Sequence, residues 1–336
     1  MVVQAFKRSP IDFRPLFGVR PRRIAKGIGL FASAYALLEE SGWPGPARER
    51  GLSLLEWLSE HRRLSSDRRA WSYEFDVQTR WAFYPAGTPN VIVTTFVGNA
   101  YLDWYERTGE HGLLSVAGQA AAWIVDRLSV RDEGRLYFSY VPGVPTLVNN
   151  ANALAAGFLA RYGRLAGDAA ALGAAREAVA TVVGTQRADG LWPYGEGSSL
   201  EWVDGFHTAY VLCGLLDVWE ATQEQDVFAA LDKGTRAYAS KLFHGGTPRF
   251  GDRREFPRDV HCASSAIDYF ARAHVFDGRY GDQAWGVGAW AIGALYQPSG
   301  KFAYQRTRWY LNRISYIRWS DAHALRALAR LLAMSS

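Results

Sequence analysis

Apolar positions recur along this chain at spacings of three and four, in stretches of about five turns that open on a hydrogen-bonding side chain. Thr94-Thr95-Phe96, Asn149-Asn150-Ala151, Asp204-Gly205-Phe206 and Asp259-Val260-His261 open four such stretches, and their first residues stand 55 positions apart. Thr, Asn and Asp accept hydrogen bonds from the free amides of a first helical turn, so each is expected to cap a helix. The stretches end at Thr108-Gly109, Ala166-Gly167, Gln223-Glu224 and Asp277-Gly278, and a second helical pattern follows each, over 111–128, 168–187, 225–242 and 280–295. Partial copies flank these four: Lys26 to Glu40 with Pro46 to His61 in front, and Ser320 to Leu332 behind.

Helix, tight turn and helix repeated about six times predicts an all-α fold, a closed (α/α)6 toroid rather than an open solenoid, because every hairpin must bury both flanks. Leu154, Phe158, Tyr162 and Leu165 share one face of an inner helix, while Ala151, Ala153, Ala155, Ala156 and Gly157 allow close neighbours. Its outer partner carries only Arg176 and Glu177 as charges, so its exposed strip is narrow. Residues 1–22 are expected to form an N-terminal extension, and 23–336 a single toroid domain.

Between each outer helix and the next inner one lies an aromatic connector with Gly or Pro: Trp71 to Pro89, Leu136 to Pro145, Gly190 to Gly197, Pro248 to Pro257 and Phe302 to Trp319. Minor β-hairpin content is expected there. All of these share one end of a toroid with the inner-helix N-termini, whose free amides form a partly positive rim. The largest pocket is expected at that end, lined by Trp81, Tyr140, Trp192, Trp202 and Trp319. A cleft walled by aromatic rings and floored by helix N-termini suits a sugar.

Composition narrows the classes. The 13 Trp, 17 Tyr and 17 Phe exceed what a core of this size needs. A net charge of +5, spread along the chain apart from Arg14 to Lys26 and Lys301 to Arg318, implies no nucleic-acid partner but admits an anionic saccharide. Cys213 and Cys262 stand in apolar helical patterns without a CxxC neighbour, which predicts reduced thiols and no zinc. Met1 to Lys26 is broken by Asp12, three prolines and several basic residues, unlike a signal peptide. No apolar run reaches the roughly 18 residues of a membrane helix. A cytoplasmic protein without a transmembrane segment is expected.

Trp202, Asp204 and His207, with Glu196 just before them, make the most specific chemical cluster. Asp204 and His207 stand at i, i+3 on a first helical turn, so both can face the cleft. Either Asp204 only caps the helix and His207 packs on Trp202, or the pair works as acid and base. Asp259 and His261 repeat the arrangement one hairpin later. Together these residues lack short-range ligand spacing, and neither a metal nor another cofactor is expected. Asp76, Gln78 and Arg80 alternate in a segment expected to be extended, which would put them on one face. Arg306, Arg308, Tyr310, Asn312, Arg318 and Trp319 form a basic aromatic connector suited to an acidic saccharide, Arg clasping a carboxylate and Trp stacking on a ring. No GxSxG, phosphate loop or dinucleotide fingerprint occurs.

The stretches Phe75-Asp-Val-Gln-Thr-Arg80, Gly87-Thr-Pro89, Phe138-Ser-Tyr140, Asn150-Ala-Asn152, Tyr194-Gly-Glu196, Trp202-Val-Asp-Gly-Phe-His-Thr208 and Tyr316-Ile-Arg-Trp-Ser320 resemble the VpsJ-type polysaccharide-biosynthesis proteins, in matching order from about Phe13 to Leu332. The chain departs from that pattern at Asn149 and Asp321, where the family carries His and Gln. The resemblance implies the six-hairpin toroid, a class that includes glycoside hydrolases, unsaturated glucuronyl hydrolases, polysaccharide lyases and sugar epimerases. Gln186-Arg-Ala-Asp-Gly190-Leu-Trp192 is also similar to the Gln and Gly-x-Trp repeat of squalene-cyclase-like toroids, though it occurs once and no DxDD or DDxxD motif accompanies it.

The resulting expectation is a carbohydrate-active enzyme acting on an oligosaccharide or surface-glycan intermediate, uronic-acid-containing ones included. Hydrolysis would draw two carboxylates from Glu196, Asp76, Asp204 and Asp259. Elimination or epimerisation would use His207 as base with Arg80, Asn150 and Arg318 around it. Asn152, Trp81, Tyr140, Trp192, Trp202, Asp259, His261, Arg306 and Trp319 complete the expected saccharide contacts. A terpenoid-cyclase-like enzyme and a non-catalytic glycan-binding protein are the alternatives.

Overall fold

Turns of two residues leave a helix no choice but to fold back on its predecessor. Gly109–Glu110, Gly167–Asp168 and Gln223–Glu224 are such turns, and each opens on a left-handed residue that ends the preceding helix. A computed structural model describes residues 9–61 and 68–335. Six inner helices, α1 (Ala25–Glu40), α3 (Val91–Thr108), α5 (Asn149–Ala166), α7 (Gly205–Thr222), α9 (Val260–Ala273) and α11 (Asp321–Met334), pack side by side in that order, and α11 returns to α1. Five outer helices, α2 (Ala47–Glu60), α4 (His111–Leu128), α6 (Ala169–Gly184), α8 (Gln225–Lys241) and α10 (Gly278–Leu295), each back onto the inner helix before them. The fold is the expected (α/α)6 toroid.

Burial follows position in the rings. Residues 149–160 of α5 are buried on every side, as an inner helix with two ring neighbours and an outer partner requires. Outer helix α8 instead buries one stripe, Val227, Ala230, Leu231, Gly234, Ala237 and Tyr238. The small residues of α5 do what their size allows: a Cβ on Gly214 of α7 would sit 2.2 Å from the Ala153 carbonyl oxygen. Among the described residues, no helix is long and apolar enough to cross a membrane.

Among the described residues every strand is short and lies between an outer helix and the next inner one: β1 (Val77–Gln78) with β2 (Phe83–Tyr84), β3 (Ser129–Asp132) with β4 (Arg135–Phe138), β5 (Phe243–His244) with β6 (Thr247–Pro248), and the sheet of β7 (Arg258–Asp259), β8 (Gln305–Arg306) and β9 (Leu311–Asn312). Every pair is antiparallel. The first amide of an inner helix donates to an aromatic residue of the following connector, and it does so four times over: Val91 to Tyr140 O, Asn149 to Tyr194 O, Gly205 to Phe250 O and Val260 to Tyr304 O, at 2.9–3.1 Å. Each connector is thereby tied across the top of the inner helix before it.

Two of the four expected caps differ. Asn90, not Thr94, caps α3, its Oδ1 accepting from Val93 N at 3.0 Å, while Thr94 lies in the first turn and accepts from Trp71 N at 3.2 Å. Helix α5 has no side-chain cap. With its first amide already on Tyr194 O, Asn149 is free to accept from Thr185 Oγ1 at 2.7 Å and donate to Pro193 O at 3.0 Å. Asp204 and Asp259 cap α7 and α9 as expected.

Because Gly214 has no room for a side chain, Gly214→Ala should lower the unfolding free energy by about 2 kcal/mol through overpacking against α5. Chemical denaturation checks this. An unchanged midpoint would show that the two helices can part at no cost.

Candidate active site

At the connector end, aromatic and basic side chains from four connectors meet above the inner-helix N-termini. The Arg80 guanidinium lies over the Trp202 ring at 4.4 Å, and Trp202 stacks on Tyr194 at 4.2 Å. Tyr194 meets His207 edge-on at 4.7 Å, and Phe206 lies between His207 (3.9 Å) and His261 (4.4 Å). Trp319 stands against His261 at 5.3 Å, and Arg318 lies over Tyr73 at 4.7 Å and Phe75 at 5.2 Å. On the far side Trp81 meets Tyr140 edge-on at 5.4 Å. Burial pushes the Tyr194 hydroxyl up to about 12 and raises that of Tyr140 well above its ordinary value, so both are protonated donors at neutral pH.

Asp204 caps its helix and touches His207, doing both with one carboxylate. One oxygen accepts from His207 N at 3.0 Å. The other meets His207 Nδ1 at 2.7 Å and accepts from Trp202 Nε1 at 3.2 Å. A carboxylate with three donors around it accepts from all of them, so Nδ1 carries a hydrogen, and in the neutral imidazole Nε2 is the acceptor. The His207 side chain is 22 % exposed while that of Asp204 is 4 %. A buried anion therefore fixes the tautomer and ring orientation of a half-buried imidazole, the logic by which an orienting carboxylate serves a base.

Five of the expected site residues are held elsewhere. Trp192 belongs to the core, its Nε1 donating to Val182 O at 2.9 Å, and Gln186 clamps the same connector to Gly190 O and Ala230 O; the Gln and Gly-x-Trp pattern is a packing device here. Asn152 spends its amide on Phe138 N and Ala178 O. Glu196 turns outward to pair with Arg135 at 2.5 Å. Asp76 accepts from Ala86 N on an exposed loop, and Gln78 donates to Thr79 O and Ala82 O within its own hairpin. Arg306 reaches out to Ala294 O at the end of an outer helix. Asp259 caps its helix, whereas Asn150 is 3 % exposed with an Oδ1 that has no partner among the described residues.

A cavity of about 480 Å³ lies not in the connector-end cleft but at the opposite end of the bore, and none of the five expected rings lines it. Long connectors pack their rings together over one mouth, while the two-residue turns at the other are too short to cover it. Six arginines and six carboxylates line this far chamber, most of them in pairs. Arg161 meets Asp103 at 2.7 Å and also Glu106; Arg272 meets Asp217 at 2.6 Å and Glu220 at 3.0 Å; Arg326 and Arg330 share Asp268 at 3.3 and 3.4 Å. These charges interrupt otherwise apolar inner helices at i, i+3 or i+4, a signal visible in the sequence and passed over.

A buried layer separates cleft from chamber. Lys26, Tyr210, His261 and His323 come from α1, α7, α9 and α11 and are all at most 6 % exposed. Tyr210 and His323 also line the chamber. Burial first, then repulsion from Arg318 and Arg326, holds Lys26 well below the ordinary lysine value. Burial likewise holds both imidazoles well below theirs, helped by His323 and Lys26 for His261 and by Lys26 for His323.

No family model matches the chain, and no curated protein does. Solved structures match over nearly all of it. A family 76 α-mannanase of Bacteroides thetaiotaomicron covers 95 % of this chain and 88 % of its own at 14 % identity and TM-score 0.73. A cellobiose 2-epimerase from Bacillus thermoamylovorans covers 94 % and 90 % at 9 % identity and 0.72. A possible member of glycoside hydrolase family 105 from Salmonella enterica covers 92 % and 82 % at 13 % identity and 0.68. Identities this low establish the shared six-hairpin toroid.

His261 and His323 are uncharged in the folded protein, but their unfolded counterparts take up a proton near pH 6.5. The unfolded state thus binds more protons, and stability falls as pH drops below that value, by about 1.4 kcal/mol per unit for each imidazole. Between pH 6.5 and 5, His323→Gln should flatten the stability curve by about one such slope, measured by denaturant unfolding. Parallel curves would contradict the buried neutral layer.

Proposed function

We propose that this chain is a carbohydrate-active enzyme that moves a proton at a sugar carbon, by epimerisation or elimination, on an oligosaccharide or surface-glycan intermediate. The observation that carries this reading is the Asp204–His207 pair, which leaves Nε2 as a fixed acceptor beside Tyr194 and Trp202. His207 Nε2 takes the C–H proton, and the electron pair left on carbon spreads into an adjacent carbonyl or carboxylate. Arg80 and Arg318, both on the aromatic rim, supply positive charge for that developing anion. Return of a proton to the other face gives the epimer; loss of the neighbouring substituent gives the unsaturated sugar. The rings of Trp202, Tyr194, Trp81 and Trp319 offer stacking surfaces for the saccharide, uronic-acid-containing or neutral.

Hydrolysis would need two facing carboxylates, roughly 5 Å apart for retention or 6.5–9.5 Å for inversion. Asp204 is taken up by its cap and His207, Asp259 by its cap, Glu196 by Arg135 and Asp76 by its own loop. The charged far chamber speaks against an apolar terpenoid substrate. A glycan-binding scaffold would keep the rings but gain nothing from an oriented imidazole. The likeness of the sequence motifs to VpsJ-type proteins supports a role in polysaccharide biosynthesis, in the cytoplasm.

Neutral and uronic-acid-containing reducing oligosaccharides, followed by NMR for epimers and by ultraviolet absorbance for unsaturated products, test this. His207→Ala should lower turnover by about 10²–10⁴-fold with the Tm within a few degrees. Asp204→Asn keeps a good helix cap but removes the anion behind Nδ1, and should lose activity without losing the fold. Full activity in His207→Ala, or its unfolding, would show a packed histidine only.

A further inference from the structure

One hydroxyl in the buried layer has more nitrogen neighbours than protons. Tyr210 Oη meets His261 Nε2 at 2.5 Å, His323 Nε2 at 3.3 Å and Lys26 Nζ at 3.5 Å. A phenol has one hydrogen to give and two lone pairs. Two of the three nitrogens must therefore donate to it, and the third must accept. Lys26 Nζ has hydrogens to donate to the phenol oxygen whether charged or neutral, and with it as one donor, one imidazole donates and the other accepts. His261 Nδ1 is buried with no partner among the described residues. Orphaned acceptors are tolerated more often than orphaned N–H groups. That selects Nε2–H on His261, donating to Tyr210, with the Tyr210 hydrogen on His323 Nε2.

The same three residues join the two ends of the bore. His261 lies between Phe206 and His323, with Trp319 at its side, so it is the member of the layer that faces the cleft. His323 and Tyr210 line the far chamber, whose outer wall includes the half-exposed side chains of Arg164 and Glu220. A polar chamber of this size holds water. Its lining charges cancel in number, so it neither recruits nor repels an ion by net charge.

We propose that Tyr210 is a proton relay between His261 and His323, through which a proton handled in the cleft exchanges with water of the far chamber. A proton arriving on the lone pair of His261 Nδ1 releases the Nε2 proton to the Tyr210 oxygen as the phenolic hydrogen passes to His323 Nε2. Tyr210 ends neutral, His261 ends as the Nδ1–H tautomer, and His323, briefly an imidazolium, gives its Nδ1 proton to water. The reverse sequence restores the start. Tyr210 acts through the histidines and is a positioning residue. The purpose of the relay rests on the proton-transfer reading; its existence can be tested without any saccharide.

The full chain labelled with ¹⁵N-histidine gives the exchange rate of the His261 ring N–H with water by NMR. Tyr210→Phe removes only the hydroxyl and should slow that exchange at least tenfold. His323→Gln keeps a partner for Tyr210 that cannot take on a proton, and should slow it as well. Ser264→Ala, on the chamber wall outside the relay, should leave the rate unchanged. Loosened packing would speed exchange, the opposite sign. An unchanged or faster rate in whichever of the first two variants folds overturns the relay. Lack of turnover on every saccharide, with the slowed exchange intact, would overturn the functional reading alone.

Discussion

The free amide at the start of each inner helix must find an acceptor, and in four hairpins it finds the carbonyl of an aromatic residue in the next connector. That one bond sets the geometry of the whole connector end. It ties the backbone carbonyls of Tyr140, Tyr194, Phe250 and Tyr304 over the starts of α3, α5, α7 and α9. It also relieves the capping side chains. Asp204 can give one oxygen to the helix and the other to His207 because the first amide of α7 is already satisfied by Phe250. The toroid and the oriented imidazole share one cause.

Much of this was legible in the sequence. Six inner helices followed from the repeat of capped apolar stretches, and Gly214 against Ala153 shows why small residues crowd α5 and α7. The Asp204 and His207 spacing placed both on one turn, although the choice between cap and catalytic partner was a false one. Other residues misled for physical reasons. Trp192 looks like a cleft ring, but a Trp with its Nε1 satisfied in the core costs nothing to bury. Glu196 and Arg306 sit in the right connectors but on their outward sides, and connector order does not encode which side a residue takes.

The far chamber has no signature in the connectors, whose length says where rings gather and not where space is left. Its arginines and carboxylates belong to inner helices whose other residues are apolar. Unpaired, such charges would be costly; paired across neighbouring helices they fix the order of the ring. The buried layer of Lys26, Tyr210, His261 and His323 was equally invisible. Its members come from four separate helices with no local spacing in common, and only the closure of the ring brings them together.

The central claim is that the cleft breaks and remakes a carbon–hydrogen bond. Turnover in a mixture of deuterium oxide and ¹⁸O-labelled water, read by mass spectrometry and NMR, separates this from hydrolysis directly. An epimerase reached through His207 puts solvent deuterium on a sugar carbon, and an eliminase gives an unsaturated product without ¹⁸O. Product carrying ¹⁸O at its anomeric carbon from bond cleavage, with no deuterium on carbon, would contradict the account.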